Sequence, residues 1–187
     1  FSSTIGLGSS AAVTVATVAV LSKWLDPEPY TLDQIFTIAK KIMLAVQGVG
    51  SGADVAASVF GGVLNYKVQP SACTYYNLPV IPDCTAVYCG YKKPTPEVIN
   101  IVTIAAQKEP ELFTEIFNEI DIIIEQAKIA IQQSNWQQLG VLFNQQYKLQ
   151  ISLGVSDDCL DLLINKLLEQ NEIYGAKISG SGLGDCV

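Results

Sequence analysis

The feature that most constrains this chain is a glycine-rich segment at its start that runs directly into a long apolar helix. Residues 6–12 read Gly-Leu-Gly-Ser-Ser-Ala-Ala, and the pattern predicts a helix from Ser9 to about Leu25 that ends before Pro27. The first N–H groups of a helix have no partner within it and mark the positive end of its dipole, so they favour anions. Glycines allow a phosphate to approach the backbone closely. The segment therefore indicates an anion site, with a plain helix start packed in a core as the structural alternative.

The two serines of this segment add hydroxyl groups at the predicted helix start. Ser9 and Ser10 stand where a hydroxyl either caps the helix or binds a metal ion. The segment lacks the Gly-Lys-Ser/Thr ending of the common phosphate-binding loop. It therefore predicts a phosphate site of a different kind.

The composition excludes several classes of function. The 187-residue chain has a net charge of −7, all 11 of its basic residues are lysines, and histidine is absent. These counts argue against a nucleic-acid surface, histidine triads and histidine-containing zinc sites. The longest apolar stretch, residues 11–21, is too short to span a membrane. We therefore expect a folded protein without nucleic-acid or membrane partners, in which bound phosphates are neutralised locally.

The five cysteines indicate a reducing compartment. Their number is odd and no Cys-x-x-Cys pair occurs, which argues against a disulfide framework. Cys84 and Cys89 are close enough in sequence to pair or bind a metal, but we expect buried free thiols. The predicted location is cytoplasmic. The cysteines are Cys73, Cys84, Cys89, Cys159 and Cys186.

The remaining patterns predict an α+β fold with two domains. Thr31 and Gln34 form a capping box at the start of a second helix, and residues 55–60 form a short helix. Helices and strands mix without regular alternation. We predict an N-terminal domain over 1–70, a connecting segment over 71–84 and a C-terminal domain over 85–187. Strands are predicted over 63–69, 75–80, 85–91 and 174–179.

The C-terminal half is predominantly helical in this prediction. Thr95 is expected to be the N-cap of a helix whose first position is Pro96. A long amphipathic helix begins at Pro110. Two further helices are predicted over 135–153 and 158–169, the second capped within residues 156–158.

Three glycine clusters and one aspartate are the candidate functional residues. The clusters lie at 6–10, 48–54 and 179–185, and each follows a strand or adjoins a helix. Together they suit a phosphate-bearing ligand held by backbone N–H groups. Asp54 stands in the middle cluster just before a helix, where it either caps the helix, orients or deprotonates an attacking group, or holds a magnesium ion.

These clusters resemble the motifs of the GHMP small-molecule kinases, which include galactokinase, homoserine kinase, mevalonate kinase and phosphomevalonate kinase. Residues 6–12 are similar to their second motif and residues 176–186 to their third. Residues 51–54 read Ser-Gly-Ala-Asp and resemble the segment that carries the family's catalytic aspartate. The motifs occur in family order. The resemblance implies the GHMP kinase fold, here the rear part of a ribosomal-S5-like N-terminal domain followed by a ferredoxin-like C-terminal domain.

The resemblance also implies a role for each matching residue, with ATP and Mg²⁺ as ligands. Asp54 would be the catalytic base or orienting group and Ser51 would support it. Ser10 would bind the magnesium ion. Thr95, Gly180, Ser181 and Gly182 would border the acceptor, although simple helix capping remains open for Thr95. The residues that would bind ATP are Gly6, Leu7, Gly8, Ser9, Ser10 and Ala11.

The acceptor remains open between two substrates. The ending Gly184-Asp185-Cys186 and the run 47–55 are similar to phosphomevalonate kinases, although a lysine of that run is missing, and we lean to 5-phosphomevalonate. Residues 153–156 look more like mevalonate kinase. Met43 stands where mevalonate kinases carry a magnesium-binding glutamate, about two turns before Ser51.

Three other functional interpretations of the sequence remain as alternatives. They are another small acceptor such as homoserine or a sugar, a catalytically silent ATP-binding sensor, and a structural module. The sequence begins within the second motif, so we expect residues 1–187 alone to be weakly active or inactive. A homodimer is left open.

Overall fold

The computed structural model describes residues 8–68, 72–76 and 83–187, the strand 72–76 by its backbone alone. The chain divides into two compact units, the first including Leu7–Pro79 and the second Val80–Val187. Helices and strands occur in both units, which confirms the predicted α+β class. Among the described residues, no helix is both long enough and apolar enough to cross a membrane.

Within its described residues, the first unit contains three helices and two strands, which are α1 Ser9–Leu25, α2 Leu32–Gln47, α3 Ala53–Phe60, β1 Val63–Lys67 and β2 Ala72–Tyr76. The apolar face of α1 packs on α2 and α3 around Ala11, Ala39 and Val55, which are fully buried. The predicted capping box forms, because Gln34 N–H donates to Thr31 Oγ1 at 3.3 Å and Thr31 N–H donates to Gln34 Oε1 at 2.8 Å. β1 and β2 pair antiparallel.

In the part of the second unit that the structure describes, there are four helices and two short strands, which are β3 Tyr88–Lys92, α4 Thr95–Lys108, α5 Pro110–Gln132, α6 Trp136–Ser152, α7 Asp158–Leu168 and β4 Gly184–Cys186. α5 packs along α6, and a core cluster is centred on the fully buried side chains of Leu160 and Ile164 from α7 and of Ile178. β3 and β4 pair antiparallel, with Tyr88 opposite Cys186 and Lys92 opposite Gly184.

The predicted strand over 174–179 is wrong, because side-chain amides of α6 bind this backbone instead. Asn144 Oδ1 accepts the Ala176 N–H at 3.0 Å. Gln150 accepts the Ile178 N–H and donates to the Ile178 carbonyl, both at 3.0 Å. Buried backbone groups need partners, and these amides supply them without a neighbouring strand. Within the described chain, the segment adds only the isolated bridge between Ser179 and Cys186.

Other boundaries of the predicted elements also differ. The predicted strand 75–80 lies at Ala72–Tyr76, and residues 77–80 lie outside the described residues. The predicted strand 85–91 begins only at Tyr88. The expected burial of these thiols is wrong for Cys84, which is exposed, and for Cys89, which is half-buried, while both are free cysteines as expected.

Candidate functional site

The start of α1 presents backbone donors with no side-chain cap. Gly8 is the N-cap in a left-handed conformation with φ of 71°. The first intrahelical hydrogen bond runs from Ala12 N–H to the Gly8 carbonyl at 2.9 Å. The N–H groups of Ser9, Ser10 and Ala11 therefore precede the intrahelical ladder, as an anion site requires. Ser9 and Ser10 are the first two helical residues, so the capping role considered for them is wrong.

Asp54 lies beside this helix start. A Cβ atom built on Gly8 would be 3.5 Å from Asp54 Cβ, so the first turns of α1 and α3 adjoin. Gly52 is the N-cap of α3, which makes Asp54 the second helical residue and excludes the capping alternative. Asp54 Oδ1 accepts the Val55 N–H at 2.9 Å. The exposed carboxylate thus stands next to a predicted phosphate site at the positive end of its own helix.

A lysine and a tyrosine that the sequence did not point to hold the segment before Asp54. Lys40 Nζ donates to the Tyr66 hydroxyl at 2.9 Å, and that hydroxyl donates to the Ser51 carbonyl at 2.7 Å. Ser51 Oγ in turn accepts the Ala53 N–H at 3.2 Å. Lys40 and Tyr66 are 26 residues apart, so no local pattern connects them.

The surroundings of Met43 differ from those of a metal ligand. Its side chain is only 8% exposed and packs in the core of the first unit. The Thr14 hydroxyl donates to Met43 Sδ at 3.4 Å. A thioether is a soft donor, whereas Mg²⁺ selects hard oxygen ligands. Across the described parts of the chain, no group of three or more carboxylates and cysteines is arranged to hold a metal ion.

In the second unit, the predicted acceptor residues lie together. Thr95 Oγ1 is 3.5 Å from Ser181 Oγ. The expectation that Thr95 caps its helix is wrong, because Pro94 has the extended backbone of the N-cap and Thr95 is the first helical residue. The Pro94 carbonyl accepts the N–H groups of Glu97 and Val98 at 2.9 and 3.3 Å. The hydroxyl of Thr95 therefore faces the glycine cluster instead of its own helix.

The third glycine cluster forms a tight turn that is hydrogen-bonded to the chain on both sides. Leu183 N–H donates to the Val155 carbonyl at 2.8 Å, and Lys93 N–H donates to the Leu183 carbonyl at 3.2 Å. Gly182 has φ of +86°, and a Cβ atom there would be 2.3 Å from the Val155 carbonyl oxygen. Only glycine fits that position.

An ion pair and a partly buried lysine flank the same turn. Lys92 Nζ contacts Asp185 Oδ2 at 3.0 Å, and the Asp185 side chain is 8% exposed. Burial lowers the pKa of Lys177, whose Nζ donates to the Ile178 carbonyl at 2.8 Å and lies 5.7 Å from the centre of the Phe143 ring. Burial, with a further contribution from Asp185, raises the pKa of the Cys186 thiol. Cys186 is therefore a packed thiol rather than a nucleophile.

The structure thus brings the predicted residues together within each unit. Gly8 and Asp54 adjoin in the first unit, with Ser51 beside Asp54, and Thr95 and Ser181 adjoin in the second. Ser9, Ser10 and Ala11 form the first turn of α1, and Gly180 and Gly182 flank Ser181. Gly6 and Leu7 lie outside the described residues.

Comparison with known proteins identifies both units. The sequence model for the GHMP kinases N terminal domain matches residues 2–62, and the model for the GHMP kinases C terminal domain matches residues 113–187. Mevalonate kinase of Pyrococcus furiosus is 35% identical, covering 97% of this chain and 54% of that protein. Mevalonate kinase of Saccharolobus solfataricus is 32% identical, covering 98% of this chain and 57% of that protein. The chain spans about half the length of these curated relatives.

Solved structures show the same likeness. The crystal structure of L. major mevalonate kinase in complex with R-mevalonate matches with a TM-score of 0.81 at 27% identity, over 97% of this chain and 56% of that one. The Methanococcus jannaschii mevalonate kinase matches with a TM-score of 0.78 at 26% identity, over 100% of this chain and 56% of that one. The architecture described above is therefore shared with these kinases.

Proposed function

Because this chain belongs to the GHMP kinase family, we propose that it is the catalytic part of a kinase that transfers the γ-phosphoryl group of ATP to mevalonate. The observation that supports this most is the contact between two helix starts. Gly8 begins the predicted phosphate-binding helix, and Asp54 lies against it. The position of a carboxylate beside a phosphate site is explained if the carboxylate accepts the proton of an attacking hydroxyl.

The first turn of α1 would bind the triphosphate. Its N–H groups point out of the helix start, and the helix dipole adds positive potential to a chain whose net charge is −7. Phosphoryl transfer needs mainly positioning and charge neutralisation. The backbone donors of Ser9, Ser10 and Ala11 would provide both without an arginine.

Asp54 would act on the acceptor. In the proposed reaction the acceptor oxygen attacks the γ-phosphorus, the bond from that phosphorus to the bridging oxygen breaks, and ADP leaves with the bonding electrons. The acceptor's hydroxyl proton passes to Asp54 Oδ2, while Oδ1 remains hydrogen-bonded to the Val55 N–H. Ser51 would fix the turn that leads into α3.

The residues present fit a magnesium ion only in part. Ser10 has an exposed hydroxyl at the predicted phosphate site, and Asp54 has hard carboxylate oxygens, which are the donors that Mg²⁺ prefers. Met43 does not fit, because its sulfur is buried and soft. We propose Ser10 as the protein's ligand. The ion would neutralise charge on the phosphate oxygens when bound.

The second unit would contribute the hydroxyl pair of Thr95 and Ser181 and the backbone of Gly180 and Gly182. Two hydroxyls 3.5 Å apart can donate to one acceptor-substrate oxygen. We propose that these residues bind substrate.

The choice of mevalonate rests on the relatives. The curated relatives reported above are named mevalonate kinase, and one matching structure holds R-mevalonate. 5-Phosphomevalonate is the second candidate, because Gly184-Asp185-Cys186 resembles the phosphomevalonate kinases. In this chain the Asp185 side chain is 8% exposed and is paired with Lys92. The relatives outweigh this local resemblance, so mevalonate is the first candidate.

A panel of acceptors tests the proposal. ADP release by the full-length protein is measured with ATP, Mg²⁺ and one of mevalonate, 5-phosphomevalonate, homoserine or galactose. The proposal expects the highest kcat/KM on mevalonate. Preference for 5-phosphomevalonate would select the second candidate. ATP binding without turnover on any acceptor would refute the kinase proposal and favour a silent nucleotide sensor.

A further inference from the structure

We infer that Lys40 and Tyr66 are positioning residues that hold the 51–54 turn, and through it Asp54, in the conformation used for phosphoryl transfer. The assignment of Asp54 rests on the function proposed above. The structural part, that these two side chains fix the turn, stands on the contacts alone.

The hydrogen bonds run in one direction from the lysine to the turn. Lys40 Nζ donates to the Tyr66 hydroxyl at 2.9 Å, and the hydroxyl uses its own hydrogen to reach the Ser51 carbonyl at 2.7 Å. A tyrosine hydroxyl that accepts from a cation becomes a stronger donor, because hydrogen bonds in a chain polarise one another. The Ser51 carbonyl, at the start of the 51–54 turn, is therefore held by the side chain of Tyr66, which lies outside the turn.

The alkyl part of Lys40 packs against Gly52, the residue that follows Ser51. A Cβ atom built on Gly52 would lie 3.0, 3.1 and 3.2 Å from the Cδ, Cε and Cγ atoms of Lys40. Gly52 is the N-cap of α3 and has φ of 84°. Lys40 thus packs on the backbone atoms whose conformation determines where α3 begins.

Two aromatic rings hold Lys40 in place. Its Nζ lies 5.6 Å from the ring centres of both Phe36 and Tyr66. Those two rings meet edge to face at 6.1 Å. The Phe36 ring attracts the cation, whereas Tyr66 binds it through its hydroxyl, so the lysine has one preferred position. Helical spacing places Phe36 and Lys40 on the same face of α2.

This arrangement adjoins the candidate catalytic group. A small cavity in the first unit is lined by Lys40, Gln47, Gly50, Gly52 and Asp54. A displacement of about 1 Å at a catalytic group is enough to reduce turnover strongly. Loss of the Tyr66 hydroxyl should therefore reduce turnover without removing any residue that contacts ATP.

The test combines kinetics with hydrogen exchange on the full-length protein. Tyr66→Phe retains the ring and removes the hydroxyl, and Lys40→Met retains the alkyl packing and removes the cation. Lys41→Met is the matched control, because Lys41 is the exposed neighbour on the same helix. We measure kcat, KM for ATP, the melting temperature, and amide exchange of residues 51–55.

The inference expects kcat to fall about tenfold in Tyr66→Phe and in Lys40→Met, with KM for ATP unchanged and faster exchange at 51–55. The double variant should lose little more than either single variant, because both remove one chain of contacts. A kcat within twofold of the parent in Tyr66→Phe would overturn the inference. The inference would also be overturned if, across the three single variants, the fall in kcat were proportional to the fall in melting temperature.

Failure of the proposed function gives a different pattern. If the parent protein turns over no acceptor, the kinase proposal is refuted, and the exchange data alone decide whether the two residues hold the turn. Unchanged exchange at 51–55 in Tyr66→Phe would then overturn the structural part too.

Discussion

Two glycine-to-alanine substitutions in the third glycine cluster should differ greatly in cost. Gly180 and Gly182 both have left-handed backbones, with φ of +77° and +86°. An alanine at either position incurs the left-handed penalty, about 1 kcal/mol. At Gly180 the nearest atom to an added Cβ is Asp185 Oδ2 at 3.7 Å, an ordinary contact. Gly180→Ala should therefore cost only about that penalty.

Gly182→Ala adds a collision with backbone. The added Cβ would lie 2.3 Å from the Val155 carbonyl oxygen and 2.7 Å from Val155 Cβ. Relieving this overlap costs about 1–3 kcal/mol. Moving the two segments apart also weakens the 2.8 Å hydrogen bond from Leu183 N–H to the Val155 carbonyl, worth about 1 kcal/mol. The total is about 4 kcal/mol, about 3 kcal/mol more than for Gly180→Ala.

Urea unfolding of the second unit measures this difference. Trp136 packs in the second unit, and Trp24 is 79% exposed, so a Trp24→Phe background lets fluorescence follow the second unit. With a slope of about 2 kcal/mol per molar urea, the two midpoints should differ by about 1.5 M. Equal midpoints would refute the close approach of Gly182 to Val155. A larger loss in Gly180→Ala would refute it as well.

Three further predictions concern the site and the titrating groups. Ser10→Ala should raise the Mg²⁺ concentration needed for half-maximal turnover several-fold more than Ser9→Ala does; equal effects would refute Ser10 as the ligand. Burial lowers the pKa of Lys177 below its ordinary 10.5, so the unfolded chain binds more protons and the free energy of unfolding should rise with pH towards 10. Lys177→Met should abolish that rise in urea titrations. Burial and the hydrogen bond to Asp161 raise the pKa of Tyr147 to about 12. The contribution of this shift to the free energy of unfolding is therefore complete below pH 10 and is lost as the pH rises through 12. Tyr147→Phe should show a smaller loss of stability over that interval.

Local signals in the sequence were enough to predict most helices. The bounds Ser9–Leu25 of α1 match the prediction, because a glycine start and two prolines after Leu25 delimit the helix from both sides. The Thr31 capping box and the Pro110 start are also local signals, and both are confirmed. The glycine clusters indicated the candidate site, because left-handed backbone conformations favour glycine and can therefore be recognised in the sequence.

Features that depend on distant partners could not be predicted. Residues 174–179 have a strand-like composition, but Asn144 and Gln150 on α6 satisfy their backbone. Sequence spacing does not show which side chain will reach a given carbonyl. The contact of Lys40 with Tyr66 was missed for the same reason, since a lysine on a helix is usually a solvated charge. Tertiary packing determined both features.

The decisive measurement concerns Asp54. Asp54→Asn retains the size of the side chain and an oxygen that can accept the Val55 N–H, so α3 and its contact with Gly8 should persist. We measure ATP affinity and turnover on mevalonate in the full-length protein, parent and variant together. We predict unchanged ATP affinity and a fall in kcat of at least about 100-fold, the range for loss of a general base. An unchanged kcat in the variant would contradict the role proposed for Asp54 and the reaction built on it.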